Sequence, residues 1–215
     1  MCYHFKQSKQ LKSLEKNFGA KANVEASAFE PSAHINGFDF RKTPIITGTA
    51  PQQIQCYHWG LIPSWSKDEH IRKHCLNAKI ETLHEKPSFK NVQHNRCLVL
   101  AESFYEWQWL DRQGKRKQKY EISVPTQEVF AFGGLHSTWQ HSQTNQPIHT
   151  FTIVTTEANE LMAEIHNMKK RMPIILTKEN EQAWLDGTHF DHFKHLPIDL
   201  SASKMYQQGQ NLSLF

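Results

Sequence analysis

The sequence predicts an α+β domain built on a mainly antiparallel sheet, with helices packed outside it. Three observations carry that prediction. Strand-like segments outnumber helix-like ones, most connections between them are short, and two of the strands are joined as a hairpin. A length of 215 residues suits one domain, and no repeat, low-complexity tract or long linker divides it, so residues 1–215 read as a single unit.

The elements follow in chain order. A helix opens at Ser8 as its N-cap, carries Leu11, Leu14 and Phe18 on one face and stops at Gly19. Residues 20–44 read as irregular and polar, punctuated by Pro31, Gly37 and Pro44. Apolar, β-branched or aromatic runs then mark strands at residues 45–47, 54–59 and 96–100. The hairpin pairs Phe104–Trp109 with Lys119–Val124 across a strongly basic, Gly-containing loop, Asp111-Arg112-Gln113-Gly114-Lys115-Arg116-Lys117. Further strands fall at residues 129–132, 150–154 and 173–176. Between the last two lies a helix with Thr156 at its N-cap and Leu161, Met162 and Ile165 on its buried stripe, ending near Asn167. Another helix starts after Thr177, buries Ala183-Trp184-Leu185 and closes at Gly187.

Composition excludes several classes. With 13 Phe, 6 Trp and 5 Tyr the chain can bury a core, which rules out wholesale disorder. No run approaches the ~18 to 20 apolar residues that cross a bilayer, and the start, Met1-Cys2-Tyr3-His4-Phe5-Lys6, lacks the apolar core of a secretory signal. The 4 cysteines, Cys2, Cys56, Cys75 and Cys97, are scattered and form no C-x-x-C pair, which suits reduced thiols and a cytoplasmic location. A net charge of +4 permits a polyanionic partner without demanding one.

Cys2 carries the most chemistry. Its small side chain is compatible with removal of Met1, which would leave a free α-amine of pKa about 7.7–8.0 beside a thiol of pKa about 8.5. Such a 1,2-aminothiol attacks an aldehyde twice, through nitrogen to an imine and then through sulfur to a five-membered thiazolidine. An internal cysteine has only an amide nitrogen and cannot do this. The competing reading is a cysteine that happens to stand at position 2.

Glu106 lies mid-strand in Phe104-Tyr105-Glu106-Trp107, sharing one face with Phe104 and Gln108. Desolvation beside those rings would favour its protonated form and suit it to proton transfer; the alternative is a solvent-facing hairpin residue. His166 ends a helix, where the dipole raises its pKa, while Lys169-Lys170-Arg171 opposes this and leaves the sign open. Asn77 is an amide able to orient a small substrate, and Lys79 suits a phosphate. Trp59 and Trp65 flank a Gly/Pro turn where a ring could stack on an unpaired base or fill core. His70, His74 and Cys75, and the series His189, His192 and His195, lack the partners of a metal site, and no phosphate loop or dinucleotide fingerprint is present, so neither metal nor other cofactor is expected.

The order of these blocks is more specific than any one of them. Met1-Cys2, Trp59-Gly60-Leu61-Ile62-Pro63-x-Trp65, Asn77-Ala78-Lys79-x-Glu81-Thr82, Phe104-Tyr105-Glu106-Trp107, and His166 followed by Arg171-Met172-Pro173 together resemble the SOS-response-associated peptidase (SRAP) family over residues 2 to about 186. The remainder, about 187–215, is expected to be a peripheral tail. The resemblance implies a barrel-like sheet, a positively charged DNA channel and an abasic-site sensor that crosslinks to abasic sugar in single-stranded DNA through its N-terminal cysteine. It implies Cys2 as nucleophile, Asn77 as orienter, and Glu106 and His166 as proton-handling groups, His166 favouring the ring-opened aldehyde. Trp65 and Lys79 would line the DNA path, with Arg171 a phosphate contact. A monomer, associated with the nucleoid when on DNA, is the expected state.

Departures from the family pattern concern binding more than chemistry. Tyr3-His4 replaces a usual Gly-Arg pair, Lys79 stands where Arg is common, and Ser66 replaces a frequent second Trp. Ala33–Phe38 replaces a Tyr-Asn-x-Ala-Pro segment, with Phe38 supplying apolar surface toward DNA, and Asn167-Met168 lengthens the path from His166 to Arg171. Two other functions fit the same residues: a thiol peptidase built on Cys2, His166 and Glu106, active on itself or on other proteins, and a non-covalent single-strand DNA binder.

Overall fold

The structure is a computed structural model that describes residues 2–24, 26 and 29–206. Met1, and with it the expected loss of that residue, lies outside the described residues. The chain forms strands β1 (His4–Gln7), β2 (Lys21–Ala22), β3 (Ser32–Asn36), β4 (Lys42–Thr47), β5 (Ala50–Trp59), β6 (Asn77–Lys79), β7 (Arg96–Ala101), β8 (Ser103–Trp109), β9 (Lys117–Ser123), β10 (Phe130–Gln140), β11 (Pro147–Glu157), β12 (Arg171–Pro173), β13 (Ile175–Leu176) and β14 (Ser201–Met205). Its helices are α1 (Leu11–Phe18), α2 (Glu160–Ile165) and α3 (Lys178–Leu185).

A nine-stranded sheet runs β12-β11-β10-β7-β4-β5-β2, with β13 on β10 and β6 on β11. A parallel pairing of Thr150 and Phe151 on β11 with His58 and Trp59 on β5 closes the path β5-β4-β7-β10-β11 into a barrel. The second sheet, β14-β9-β8-β1-β3, is antiparallel throughout. An α+β fold with a barrel-like, mainly antiparallel sheet is what the sequence and its resemblance predicted.

Alternation explains the packing. Every residue of β7 is buried, because Cys97, Val99 and Ala101 face one core while Leu98 and Leu100 face another. The first core joins the barrel to the second sheet through Phe5, Phe104, Phe132 and Trp59. The second lies under α1 and α3, around Leu14 and Trp184. Gly133 on β10 is needed there, since a Cβ at that position would come within 3.0 Å of the Trp184 ring.

Several local expectations change. Ser8 does not cap α1; Gln10 does, and the Ser8 backbone N–H and hydroxyl are taken instead by the Glu102 carboxylate. Residues 20–44 contain β2, β3 and the start of β4, which a polar composition hid. Thr156 belongs to β11, and the cap of α2 is Asn159, whose Oδ1 accepts from Met162 N–H at 2.9 Å. The described part of the segment beyond Gly187, residues 188–206, packs against the rest of the fold. Phe193 is buried against Trp184, the Arg96 guanidinium donates to the carbonyls of Trp184 and Thr188, and β14 extends the second sheet.

Candidate active site

Cys2 lies two residues before β1 and is fully buried. Its backbone carbonyl accepts a hydrogen bond from Asn77 Nδ2 at 2.8 Å, and its thiol points to the carbonyl of His4 at 3.7 Å. Asn77 gets there because β6 runs parallel to β11, with Asn77 opposite Ile153 and Lys79 opposite Thr155. Alternation along β6 sends Ala78 into the core and leaves Asn77 and Lys79 on the other side. Asn77 Oδ1 is buried without a hydrogen-bond partner among the described residues, an acceptor poised beside Cys2.

Glu106 sits on the central strand of the second sheet, paired with Tyr120 across β8–β9. The neighbouring register sets His4 opposite Tyr105 and Phe5 opposite Phe104, so Phe104 and Glu106 turn to the core while Tyr105 and Trp107 turn outward toward His4 and Lys119. Burial pushes the Glu106 carboxyl up to about 7, against the backbone N–H of Trp107, which works the other way. Burial, and next the negative charge of Glu106, push the Cys2 thiol well above the ordinary thiol range. The pair is therefore coupled: a protonated thiol beside a carboxyl that changes charge near neutrality.

His166 ends α2, which is tied to β8 where Gln108 Nε2 donates to the Glu164 carbonyl at 3.1 Å. Its Nδ1 lies 2.8 Å from the Arg171 carbonyl and 3.1 Å from the Arg171 N–H. The sign left open by the sequence resolves downward. Burial lowers the imidazole to about 4, outweighing the Arg171 carbonyl that works the other way, and the positive charges of Lys169 and Arg171 add to the depression. His166 thus rests neutral, and its imidazolium is a strong acid when formed.

Arg171 is not placed as a phosphate contact. Its guanidinium is buried and gripped by Glu81 through two bonds of 2.7 and 2.9 Å, and Nη2 also donates to the Thr155 carbonyl at 2.7 Å. Burial works to raise Glu81, but Arg171 outweighs it and holds the carboxyl below its ordinary range. Glu81 is a site residue the sequence reading passed over, although it stands in the same Asn77-Ala78-Lys79-x-Glu81 block. The expected flanks sit apart from one another. Trp65 is half-exposed with Nε1 on the Pro87 carbonyl, beside a cleft of about 550 Å³ that Asn77, Lys79, Lys86 and Phe89 line. Phe38 is equally exposed and packs on Tyr3, 5.3 Å between ring centres. Among the described residues no group of three or more His, Cys, Asp or Glu side chains could hold a metal ion.

The chain is similar to known proteins over most of its length. The chain is 38% identical over 212 residues to the abasic site processing protein YoqW of Bacillus subtilis, covering 96% of this chain and 92% of that one. It is 30% identical over 179 residues to the abasic site processing protein HMCES of Gallus gallus, covering 72% of this chain and 49% of that one. A crystal structure of a protein from Bacteroides thetaiotaomicron superposes with a TM-score of 0.87 at 32% identity, covering 96% of this chain and 93% of that one. The model of the SOS response associated peptidase family matches residues 1–208, and the chain belongs to that family.

Proposed function

We propose that this protein captures abasic sites in single-stranded DNA by forming a thiazolidine between Cys2, freed of Met1, and the sugar aldehyde. The observation that carries the reading is the juxtaposition at Cys2: a position-2 thiol, the Asn77 amide on its carbonyl at 2.8 Å, and the Glu106 charge acting on its sulfur. Relatives over nearly the whole chain carry the name abasic site processing protein, which supports the same substrate.

The steps follow from the groups present. An abasic sugar is mostly a closed hemiacetal, and only its open aldehyde reacts. Neutral His166 accepts the C1′ hydroxyl proton and returns it to the ring oxygen as the C1′–O4′ bond breaks. The low pKa of the imidazolium makes that return fast. The Cys2 amine adds to C1′ to give a carbinolamine. Protonated Glu106 donates to its hydroxyl, which leaves as water, and an imine forms. Ionised Glu106 then accepts the thiol proton as sulfur adds to C1′, and the C=N electron pair of the protonated imine returns to nitrogen, which keeps its proton. One water is lost overall, with no oxidant or reductant. Trp65 and Phe38 offer faces for unpaired bases and Lys79 a charge for phosphate, which favours a single strand over a duplex.

The test is a denaturing gel of protein incubated with an abasic single-stranded oligonucleotide. A shifted band that Cys2→Ala abolishes is expected; its absence in wild type, or persistence in Cys2→Ala, defeats the proposal. The family description favours a second reading, a thiol peptidase. A thiol pushed up by burial suits that role poorly, and Cys2-dependent turnover of a peptide pool without any DNA adduct would promote it.

A further inference from the structure

The basic loop of the hairpin and the segment that lengthens the path from His166 to Arg171 form one surface. Asn167 Oδ1 accepts from the Trp109 N–H at 3.2 Å and Asn167 Nδ2 donates to the Trp109 carbonyl at 2.9 Å, a two-bond clasp between the two loops. Lys170 holds a left-handed backbone conformation, φ 46°, as the chain turns back toward β12. On the hairpin side Arg112, Lys115, Arg116 and Lys117 are exposed, and on the other side Lys169 and Lys170 are. Two apolar side chains stand among them, Leu110 at 51% and Met168 at 55% exposure, next to the Trp109 ring that Lys117 overlies at 5.1 Å.

Local carboxylates do not neutralise this group. Asp111 is oriented into its own loop, accepting from the N–H groups of Gln113, Lys115 and Arg116, and its one ion pair there is with Arg116 at 3.6 Å. Glu164, on α2, is the nearby acid from the other element. A surface of six cations around exposed apolar and aromatic side chains matches a polyanion whose bases are unpaired, since a duplex would offer charge without free base faces.

Its position says which part of that polyanion. Trp109 stands three residues beyond Glu106 on β8, about 10 Å along the strand. His166 directly precedes Asn167. Alternation turns the Trp109 ring to the face of β8 opposite Glu106, while Asn167 adjoins His166, so the surface leads away from the site around one end of the sheet.

We propose that the hairpin loop and the 167–170 loop together hold the single strand flanking the lesion on one side, phosphates on the lysines and arginines and bases on Trp109, Leu110 and Met168. The inference rests on the abasic-site reading for its substrate but not for its contacts. It gives the chain a second grip at the place where Tyr3-His4 and Lys79 weaken the first.

The test is fluorescence anisotropy on oligonucleotides bearing a tetrahydrofuran in place of the abasic sugar, which has no aldehyde and binds reversibly. Flanks are lengthened on the 5′ or the 3′ side separately. Wild type should gain at least tenfold in affinity with length on one side only. The Arg112→Gln, Lys115→Gln, Arg116→Gln, Lys170→Gln variant should lose that gain. Each phosphate contact contributes about −0.7 to the single-strand salt slope, so four lost contacts flatten it by roughly 3. Crosslinking to a short abasic oligonucleotide should be equal in both proteins, which shows that the variant is folded and its site intact. Unchanged length dependence in the variant, or equal dependence on both flanks, overturns the proposal, as does a surface that binds acidic peptide while oligonucleotide affinity stays the same. If wild type binds with one-sided length dependence but never crosslinks, the abasic-capture reading fails and this one stands.

Discussion

The imidazole of His166 and the main chain of Arg171 are locked together, with Nδ1 at 2.8 Å from the carbonyl and 3.1 Å from the N–H of the same residue. One neighbour thus satisfies either tautomer of the neutral ring: the carbonyl accepts when Nδ1 carries the proton, and the N–H donates when it does not. A ring that passes a proton through Nε2 needs no new partner at Nδ1 at either stage. Arg171 is itself fixed by Glu81 and by the Thr155 carbonyl.

Loosening that chain should slow crosslinking without touching Cys2. Arg171→Ala is expected to cost about 1–3 kcal/mol of stability, since Glu81 is partly solvated and the penalty for a broken buried pair is reduced accordingly. Glu81→Gln, which keeps one hydrogen bond to Arg171, should cost less. Both should lower the single-turnover crosslinking rate, and ¹⁵N spectra of the His166 ring should show a second environment. His166→Ala should lower the rate about 10²-fold or more. Rates unchanged in Glu81→Gln and Arg171→Ala would remove Arg171 as a positioning residue.

Glu106 sets the expected pH dependence. In the proposed reaction its carboxyl, pushed up to about 7 by burial, is required protonated for loss of water and ionised for the thiol. Below about 7 the rate should rise with pH as the carboxylate forms, and above it the rate should fall as the acid is depleted. Single-turnover rates from pH 5 to 9 should therefore peak near neutrality, and Glu106→Gln should flatten the profile. A profile identical in wild type and Glu106→Gln would assign the proton transfers elsewhere.

Acid should unfold the protein through its histidines. Burial lowers His4, His136 and His166 to about 4, so between the unfolded value near 6.5 and that point the unfolded chain binds more protons than the folded one. Stability must then fall as pH drops through this window. Glu106, raised rather than lowered, has the opposite sign between about 4.5 and 7 and offsets part of the loss. Thermal melts from pH 7 to 4 should show Tm falling, and His136→Phe, away from the site, should blunt the fall. A Tm that holds steady or rises on acidification would contradict the burial of these rings.

The segment after Gly187 should contribute to stability. Arg96 stacks on Phe190 at 4.0 Å and on Trp184 at 4.7 Å while donating to the Trp184 and Thr188 carbonyls. Arg96→Ala is expected to cost about 2–4 kcal/mol in urea unfolding, because it removes the stacking cation and takes from the Thr188 carbonyl its donor, while the Trp184 carbonyl keeps the Gly187 N–H. A loss below about 0.5 kcal/mol would return that segment to the periphery.

The legible parts of the fold were those with a local signature. The 103–123 hairpin, the buried run at Arg96–Ala101 and the helix before Gly187 all declare themselves through alternation, apolar run or cap. β1, β3, β6 and β14 do not, because their pairing partners lie far away in the chain and their composition is polar or mixed. The same division holds at the site. Cys2 and Asn77, both quoted in the motif blocks, meet through one hydrogen bond, and the Glu81–Arg171 pair depends on a tertiary approach that no spacing encodes. Arg171 read alone is a cation for phosphate; only its bidentate partner changes its role.

The central claim is that Cys2 becomes the mature N-terminus and closes on a sugar aldehyde through both nitrogen and sulfur. The most direct measurement is the intact mass of the purified protein before and after exposure to an abasic single-stranded oligonucleotide. The account predicts a protein lacking Met1 and, after exposure, a denaturant-resistant species equal to protein plus oligonucleotide minus one water. A protein that retains Met1 and forms no such species would contradict it.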